Sequence, residues 1–425
     1  MDKKLSELSI QRTDFSEDFL WGASIAAYQV EGNAANQWSR WEQDNAARLA
    51  ANAEQDLHWS PVRNDVSPEA TTRENYICAD GIRHYEKYEE DFSIAKKIGL
   101  NSVRVGLEWS RIMPEPGKVD PAEIEHYRLY LSSLVKRGLK PVVTLQHWTE
   151  PQWFTDMGGF TKRGNLLYWQ HYVYAVLESL DWRQIEYVIS INEANTFMIM
   201  GYIVGQHAPG HKNPIKAWMA YRNLARAHQT VYDSFHAKFP HIKVGFAHQY
   251  NKIIATRRWG RVQAAFQKWW WNTSWISWAG RFDFIGVNYY FSNYWSGREL
   301  GFDINREPPV NDLGWNMEPG GIEWVLKDIA QRWPGVPVLI TENGVADMHD
   351  AYREWWIAET IEAMARARAA GVNLIGYLHW SLIDNFEWQF GWWPKFGLIA
   401  VDMKTMKRTV RESSFAWSAW LNGQK

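Results

Sequence analysis

Eight short apolar or β-branched runs recur along the chain, each followed by a loop and then a segment of helical period. No Pro/Ser/Gly-rich linker separates them. Together these observations predict an α/β fold: a single (β/α)8 TIM barrel with loop insertions, in which a parallel sheet closes on itself. A doubly wound open sheet is the rival for the same alternation. A length of 425 residues alone would suggest two or three domains, but α/β barrels often break that rule. Residues 1–14 read as an N-terminal tail and residues 15–425 as one barrel domain.

In chain order the strands are "FLWGAS" (19–24), "SVRVGLEW" (102–109), "PVVTLQHW" (141–148) and "YVISINE" (187–193). They continue with "KVGFAHQ" (243–249), "FDFIGVNYY" (282–290), "PVLITENG" (337–344) and "LIGYLHWS" (374–381). Helical periodicity marks residues 81–99, 122–138, 351–371 and 411–421. Gly99, Gly138 and Gly371 supply the stop signals expected after the first three. The long connections at 40–80, 205–215 and 291–320 read as insertions between barrel units.

Composition narrows the function classes. A hydrophobic fraction of 46% supports a large core, and the net charge of −2, with basic residues read as scattered, argues against a nucleic-acid partner. The single cysteine, Cys78, excludes an internal disulfide framework and suits a reducing compartment. The charged start "MDKKLSELSIQRTD" lacks the apolar run of a signal peptide, and no run of 18 apolar residues predicts a membrane span. The expected location is the cytoplasm. The 28 tryptophans read as core and interface, with a minority free to act as flat platforms for a sugar.

In a barrel, chemistry sits at the C-terminal ends of the strands. Those ends are unusually polar here. The second strand carries Arg104, the third ends in Gln146, His147 and Trp148, and the fourth in Asn192 and Glu193. The sixth ends in Asn288 and Tyr290, the seventh in Thr341, Glu342 and Asn343, and the eighth in His379 and Trp380. A carboxylate closing an apolar strand costs several kcal/mol if it is left buried and unpaired. Two such carboxylates, Glu193 and Glu342, facing a common mouth are what glycosidic bond cleavage needs: one protonated donor and one anion. Other chemistries lack their signatures: there is no GxGxxG after the first strand, no P-loop, no HExxH and no GxSxG. His207 and His211 are separated by Pro209 and Gly210, which break the helix that would align two metal ligands, so this stretch reads as a structural turn.

These residues stand in long ordered blocks: "FLWGASIAAYQVEG", "HYEKYEEDFSIAKKIGLNSVRVGLEWSRI", "NEANTFMIMGYIVGQHAPG", "GVNYY", "LITENG" and "HWSLIDNFEWQFGWWPKFGL". From about Phe15 to about Trp420 the chain resembles family 1 of the glycoside hydrolases, the retaining β-glycosidases. The resemblance implies Glu193 as general acid/base and Glu342 as nucleophile, with Arg104, Asn288 and Tyr290 holding the nucleophile. It implies Gln29, His147, Trp148, Asn192, Glu387, Trp388 and Phe396 as substrate-binding residues and Trp380 as the platform beneath the sugar ring. It implies a β-glycoside or oligosaccharide substrate and no metal or organic cofactor. The Glu387–Trp388 pair implies an unphosphorylated sugar, because a carboxylate there repels a 6-phosphate. Ala194 departs from the family, which usually has Pro after the acid/base residue, and the chain is compact, which leaves the aglycone open.

The expected mechanism rests on a pKa difference between like groups. Arg104 and Tyr290 favour Glu342 as an anion, whose charge keeps Glu193 protonated. Transglycosylation on the same site and an inactive sugar-binding barrel are the alternatives. The cluster "WWWNTSWISW" (269–278) is expected off the catalytic tips, as packing or a contact between copies in a homo-oligomer.

Overall fold

A computed structural model of the protein describes residues 1–296 and 309–424. Eight strands form one closed barrel: β1 (Leu20–Ser24), β2 (Ser102–Gly106), β3 (Lys140–Thr144), β4 (Tyr187–Asn192), β5 (Lys243–Gln249), β6 (Phe284–Asn288), β7 (Val338–Asn343) and β8 (Leu374–Trp380). Each strand pairs in parallel with its neighbour in sequence, and β8 returns to β1 through the register Leu20↔Gly376 to Ser24↔Trp380. The open-sheet rival is therefore excluded.

The strands are apolar on both faces because both faces are covered. Leu20, Val142, Ile189, Ala247, Phe284, Leu339 and Leu378 point inward and fill the barrel as a separate buried cluster. Their neighbours in the alternation, among them Val103, Val143, Val188, Val244, Ile285 and Ile340, pack outward against the helical ring. The helices lie close to their expected limits at His84–Ile98, Pro121–Lys136, Arg353–Ala369 and Glu412–Leu421. Gly99 ends the first with a left-handed φ of 97°, a conformation glycine takes without a Cβ penalty.

Three strands stop two or more residues earlier than expected at their C-terminal end. β2 ends at Gly106 rather than at residue 109, β3 at Thr144 rather than 148, and β6 at Asn288 rather than 290. Past these points the chain leaves the ladder. Glu108 caps a short helix, Trp109–Ile112, and Trp148 turns into the left-handed region with φ 69°. Apolar composition continued across the boundary because these residues remain buried in the mouth of the barrel rather than in the sheet.

The insertions are more ordered than loops. Residues 40–80 contain most of helix Gln37–Asp56 and all of helix Arg63–Ala70. The 205–215 stretch is a turn that leads into the long helix Pro214–Lys238. The 291–320 stretch begins with strand Ser292–Trp295, which pairs in parallel with Lys252–Ala255 outside the barrel; residues 297–308 lie outside the described residues. In the first 14 residues Leu5 is buried and Lys3 reaches Glu362 at 2.6 Å. No helix among the described residues is long and apolar enough to cross a membrane.

Candidate active site

Strands β2, β3, β4, β6, β7 and β8 deliver their polar ends to one cavity of about 200 Å³. Its wall includes His147, Trp148, Glu193, Tyr290, Glu342, Trp380, Glu387, Trp388 and Phe396. Arg104, Asn192 and Asn288 lie immediately beneath, fully buried.

Glu342 is held from two sides. Arg104 Nη1 donates to its Oε1 at 2.6 Å and the Tyr290 hydroxyl donates to its Oε2 at 2.7 Å. Arg104 is fixed in turn, donating from Nη2 to Asn192 Oδ1 at 2.7 Å and from Nε to Thr144 Oγ1 at 2.9 Å. Gly344, two residues on, must lack a side chain, since a Cβ there would lie 1.8 Å from the Trp380 carbonyl oxygen.

Glu193 follows β4 with φ 44° and ψ 60°, a left-handed conformation that costs a non-glycine residue about 1–2 kcal/mol. Its N–H donates to Ala247 O at 2.8 Å, and its own carbonyl accepts from Phe197 at 2.9 Å, so flanking hydrogen bonds maintain the bend. Ala194 is the first residue of the short helix Ala194–Met198. Proline is tolerated at that position because the N–H has no partner within the helix, so alanine there loses no hydrogen bond.

Asn288 serves both carboxyls and not Glu342 alone: besides its hydrogen-bonding effect on Glu342, its Nδ2 donates to Glu193 Oε1 at 2.7 Å and to Asn192 Oδ1 at 3.1 Å. Thr341 Oγ1 donates to Asn288 Oδ1 at 2.6 Å and fixes which end of the amide is the donor. Asn288 still favours both anions, since its hydrogen-bonding capacity lowers the pKa of each carboxyl.

Burial raises the pKa of both carboxyls, but their partners differ. Glu193 is pushed up to about 8, by desolvation first and then by the charge of Glu342. Glu342 is also raised by burial, against the opposing pull of Arg104, Tyr290 and Asn288. Among the described residues only Glu342 has a guanidinium in contact, so Glu342 ionises first and Glu193 retains its proton. Two like groups with different partners thus form an acid and an anion.

The far end of the cavity is organised around Glu387. Asn385 Nδ2 donates to its Oε2 at 2.9 Å, and burial raises its pKa to about 7. Among the described residues no Lys or Arg pairs with it. Gln29 donates to Phe386 O at 2.8 Å and leaves its buried Oε1 without a protein partner. His147 is held well below the ordinary histidine range by burial and by Arg104, and its ring stacks on Trp380 with centroids 5.9 Å apart. Trp148 and Trp388, at φ 69° and 52°, place their rings 4.8 Å apart. Phe396 packs in a small cluster with Trp380.

Some strand-end residues stay out of the cavity. His379 pairs with the Tyr377 hydroxyl at 2.8 Å, and Asn343 serves Trp356 and Tyr289, which ties β7 to its surroundings. Gln146 is buried behind the wall.

Other lining residues were not identified from the sequence. Ile199, Met200, Ile253, Trp271 and Trp295 add apolar lining to the cavity, as does Trp315, which packs on Phe390 and Phe396. Trp271 corrects the reading of the tryptophan cluster: one of its members reaches the cavity, while Trp275 is buried behind it and Trp269 is exposed. His207, read as part of a structural turn, lines the cavity and meets Gln389 Oε1 at 2.6 Å. Both Ile199–Val204 and Lys268–Thr273 are π-type turns, wide turns that recur at functional sites. That lengthening is invisible to a 3.6-residue period. Among the described residues no group of three or more His, Cys, Asp and Glu could hold a metal ion.

The family model described as glycosyl hydrolase family 1 matches residues 11–279 and 276–424. β-Glucosidase A of Thermotoga maritima is 28% identical over 455 residues, spanning 95% of this chain and 97% of the relative. A β-glycosidase from Pyrococcus horikoshii superposes with a TM-score of 0.81 at 29% identity, over 96% of this chain and 94% of that one. A Thermotoga maritima β-glucosidase in complex with glucoimidazole superposes with a TM-score of 0.84 at 25% identity, over 97% and 99%.

Proposed function

The chain belongs to glycosyl hydrolase family 1 and is a glycoside hydrolase of the β-glucosidase type; from that premise we propose that it removes terminal β-linked glucose from the non-reducing end with retention, through a covalent glycosyl-enzyme. The observation that carries this reading is the unequal pair, Glu342 clasped by Arg104 and Tyr290 and Glu193 held at about 8.

Glu342 attacks the anomeric carbon as the C–O bond to the aglycone breaks. Glu193 gives its proton to the departing oxygen, so an alcohol leaves and Glu342 becomes an ester. The ester has no charge, and Glu193 is now free to be a carboxylate. It takes a proton from water, the water oxygen attacks the same carbon, and Glu342 is released. Two displacements restore the β configuration. On this reading Asn192, whose amide also meets His147 at 3.1 Å, donates to the sugar 2-hydroxyl, a contact that strengthens in the transition state.

Glu387 and Gln29 at the closed end supply acceptors for sugar hydroxyls, with Trp380 as the platform and His147, Trp148 and Trp388 around it. A carboxylate with no cation beside it disfavours a 6-phosphate, so the sugar is unphosphorylated. One group shared between the 4- and 6-hydroxyls also admits β-galactosides and β-fucosides. On the leaving-group side Ile199, Met200, Ile253, Trp271 and Trp295 favour an apolar aglycone. The buried free thiol of Cys78 suits a reducing cytoplasm.

The test is trapping with an activated 2-deoxy-2-fluoro-β-glucoside, followed by peptide mass mapping and by NMR of the first anomer released from an aryl β-glucoside. The reading requires a sugar ester on Glu342 and β-glucose as the first product. A label elsewhere, or α-glucose first, overturns it.

A further inference from the structure

Charge is not spread evenly along this chain. Residues 194–282 contain twelve of its 46 Lys and Arg but only one of its 48 Asp and Glu, Asp233. The expectation of scattered basic residues fails here: a near-neutral total conceals a cationic segment and a compensating acidic remainder.

The centre of that segment is a helix, Gly260–Gln267, which runs on through the wide turn Lys268–Thr273. Trp259, Val262, Phe266 and Trp269 recur at intervals of three, four and three residues, which places them on one face. That face is turned to solvent, with exposures of 86%, 80%, 55% and 52%. Phe266 and Trp269 touch, their ring centroids 5.9 Å apart, so the stripe is continuous. The same helix buries Ala264 and Gln267 on its other side. Exposed apolar residues in sequence register mark a contact surface rather than scattered surface hydrophobics.

Arg257, Arg258 and Arg261 flank this stripe, all exposed and, among the described residues, without an ion pair. Other cations of the segment are engaged: Lys252 with Glu318, Arg281 with Asp233, and Lys268 over the Trp324 ring at 4.9 Å. Three arginines unpaired among the described residues, around an aliphatic and aromatic stripe, match the chemistry of an amphipathic membrane-surface element, in which indole and phenyl rings enter the headgroup boundary while guanidinium groups meet lipid phosphates. An RNA strand would engage the arginines and tryptophans but leave Val262 unused.

We propose that the face formed by Arg257, Arg258, Trp259, Arg261, Val262, Phe266 and Trp269 seats this protein on an anionic lipid bilayer, as a peripheral and reversible contact. The acidic remainder of the molecule is repelled from the same surface, so the charge division also sets the orientation. Ile253, Gln267 and Trp271 of the same segment line the catalytic cavity, so docking brings the leaving-group side next to the lipid. The contact itself does not depend on which sugar or aglycone is cleaved.

The experiment is flotation of the full-length protein with vesicles of phosphatidylcholine alone and of equal parts phosphatidylcholine and phosphatidylglycerol, at low and high salt. Wild type floats with the anionic vesicles at low salt, and high salt weakens the association. Arg257→Gln/Arg258→Gln/Arg261→Gln lowers partitioning roughly 100-fold, at the scale expected for three basic residues at a charged surface. Trp259→Ala/Phe266→Ala/Trp269→Ala lowers it at both salt concentrations. Both variants keep wild-type turnover of a nitrophenyl glucoside, which controls for folding. Failure of wild type to float with anionic vesicles overturns the proposal, as does equal flotation of the arginine variant. A stable dimer that either variant dissociates overturns it as well, because the face would then be buried between copies.

Discussion

On the floor of the cavity, Arg104 from β2, Asn192 from β4, Asn288 from β6 and Glu342 from β7 hold one another through hydrogen bonds of 2.6 to 3.1 Å. On the wall proposed to face the leaving group, Ile199, Met200, Ile253, Trp271 and Trp295 come from segments outside the barrel and contribute mainly apolar surface. Position on the floor is set by directional bonds between strands whose register is fixed, so one lost partner leaves a buried polar group unpaired. Position on the wall is set by packing, which tolerates exchange of one apolar side chain for another of similar volume. On the proposed function, reaction type is thus tied to the barrel, and aglycone choice to its insertions.

The largest break in this comparison is Glu342→Gly. Turnover falls by several orders of magnitude on every substrate, because no covalent step remains. Added azide or formate restores part of the rate with inverted product. Ordinary activity with retained stereochemistry would remove Glu342 from its role.

Glu193→Ala separates the two displacements. A substrate with a poor leaving group loses about 10²–10⁴-fold in kcat/KM, because it needs the proton. A dinitrophenyl glucoside still glycosylates the enzyme in a burst and then stalls. The wild-type profile has a basic limb near pH 8, because activity requires the protonated form of a group held there and is lost as pH rises through it. Stopped-flow traces and the pH profile of kcat/KM check both; equal loss on good and poor leaving groups contradicts the assignment.

Tyr290→Phe has a smaller effect on the floor. The anion loses one donor at 2.7 Å, worth about 1.5–3 kcal/mol for a hydrogen bond to a charged group. Removing a donor to the anion raises the pKa of Glu342, so the acidic limb moves to higher pH while the basic limb stays. A profile displaced on the basic side instead would assign Tyr290 to Glu193.

The smallest effect belongs to the wall. Trp271→Ala raises KM for an octyl glucoside by about tenfold or more, from the lost burial of one large side chain, and leaves methyl glucoside unchanged. Equal effects on both substrates would show that Trp271 supports the floor.

The floor was legible because it breaks a rule of composition. A strand such as "YVISINE" has no packing reason to end in Asn192 and Glu193, and six strand tips break the rule together. Partner choice was less legible: that Asn288 also donates to Glu193 depends on Thr341 fixing its amide, a contact between residues 53 positions apart. The left-handed turns at Trp148 and Trp388 have no local signal either, because tryptophan disfavours that region and only surrounding contacts keep it there. The wall was illegible because Trp271 sits in a wide turn whose phase differs from that of an ordinary helix. The cationic segment could have been read from the sequence, but a total of −2 averaged it away.

The ring that joins β1 to β8 has a consequence for how the molecule is made. Arg104 meets Glu342 across 238 residues of chain, and Ser24 Oγ donates to the Thr341 carbonyl at 2.7 Å across 317. A nascent chain leaves the ribosome from its N-terminus, so β1 emerges with one edge unpaired until β8 follows. During that interval Trp21, which in the finished fold packs 5.0 Å from Trp420, lacks that late partner, and an open parallel sheet displays two sticky edges. The nucleophile's pocket is therefore among the last things translation completes, and a ribosome that stalls before Leu374 releases a chain ready to aggregate.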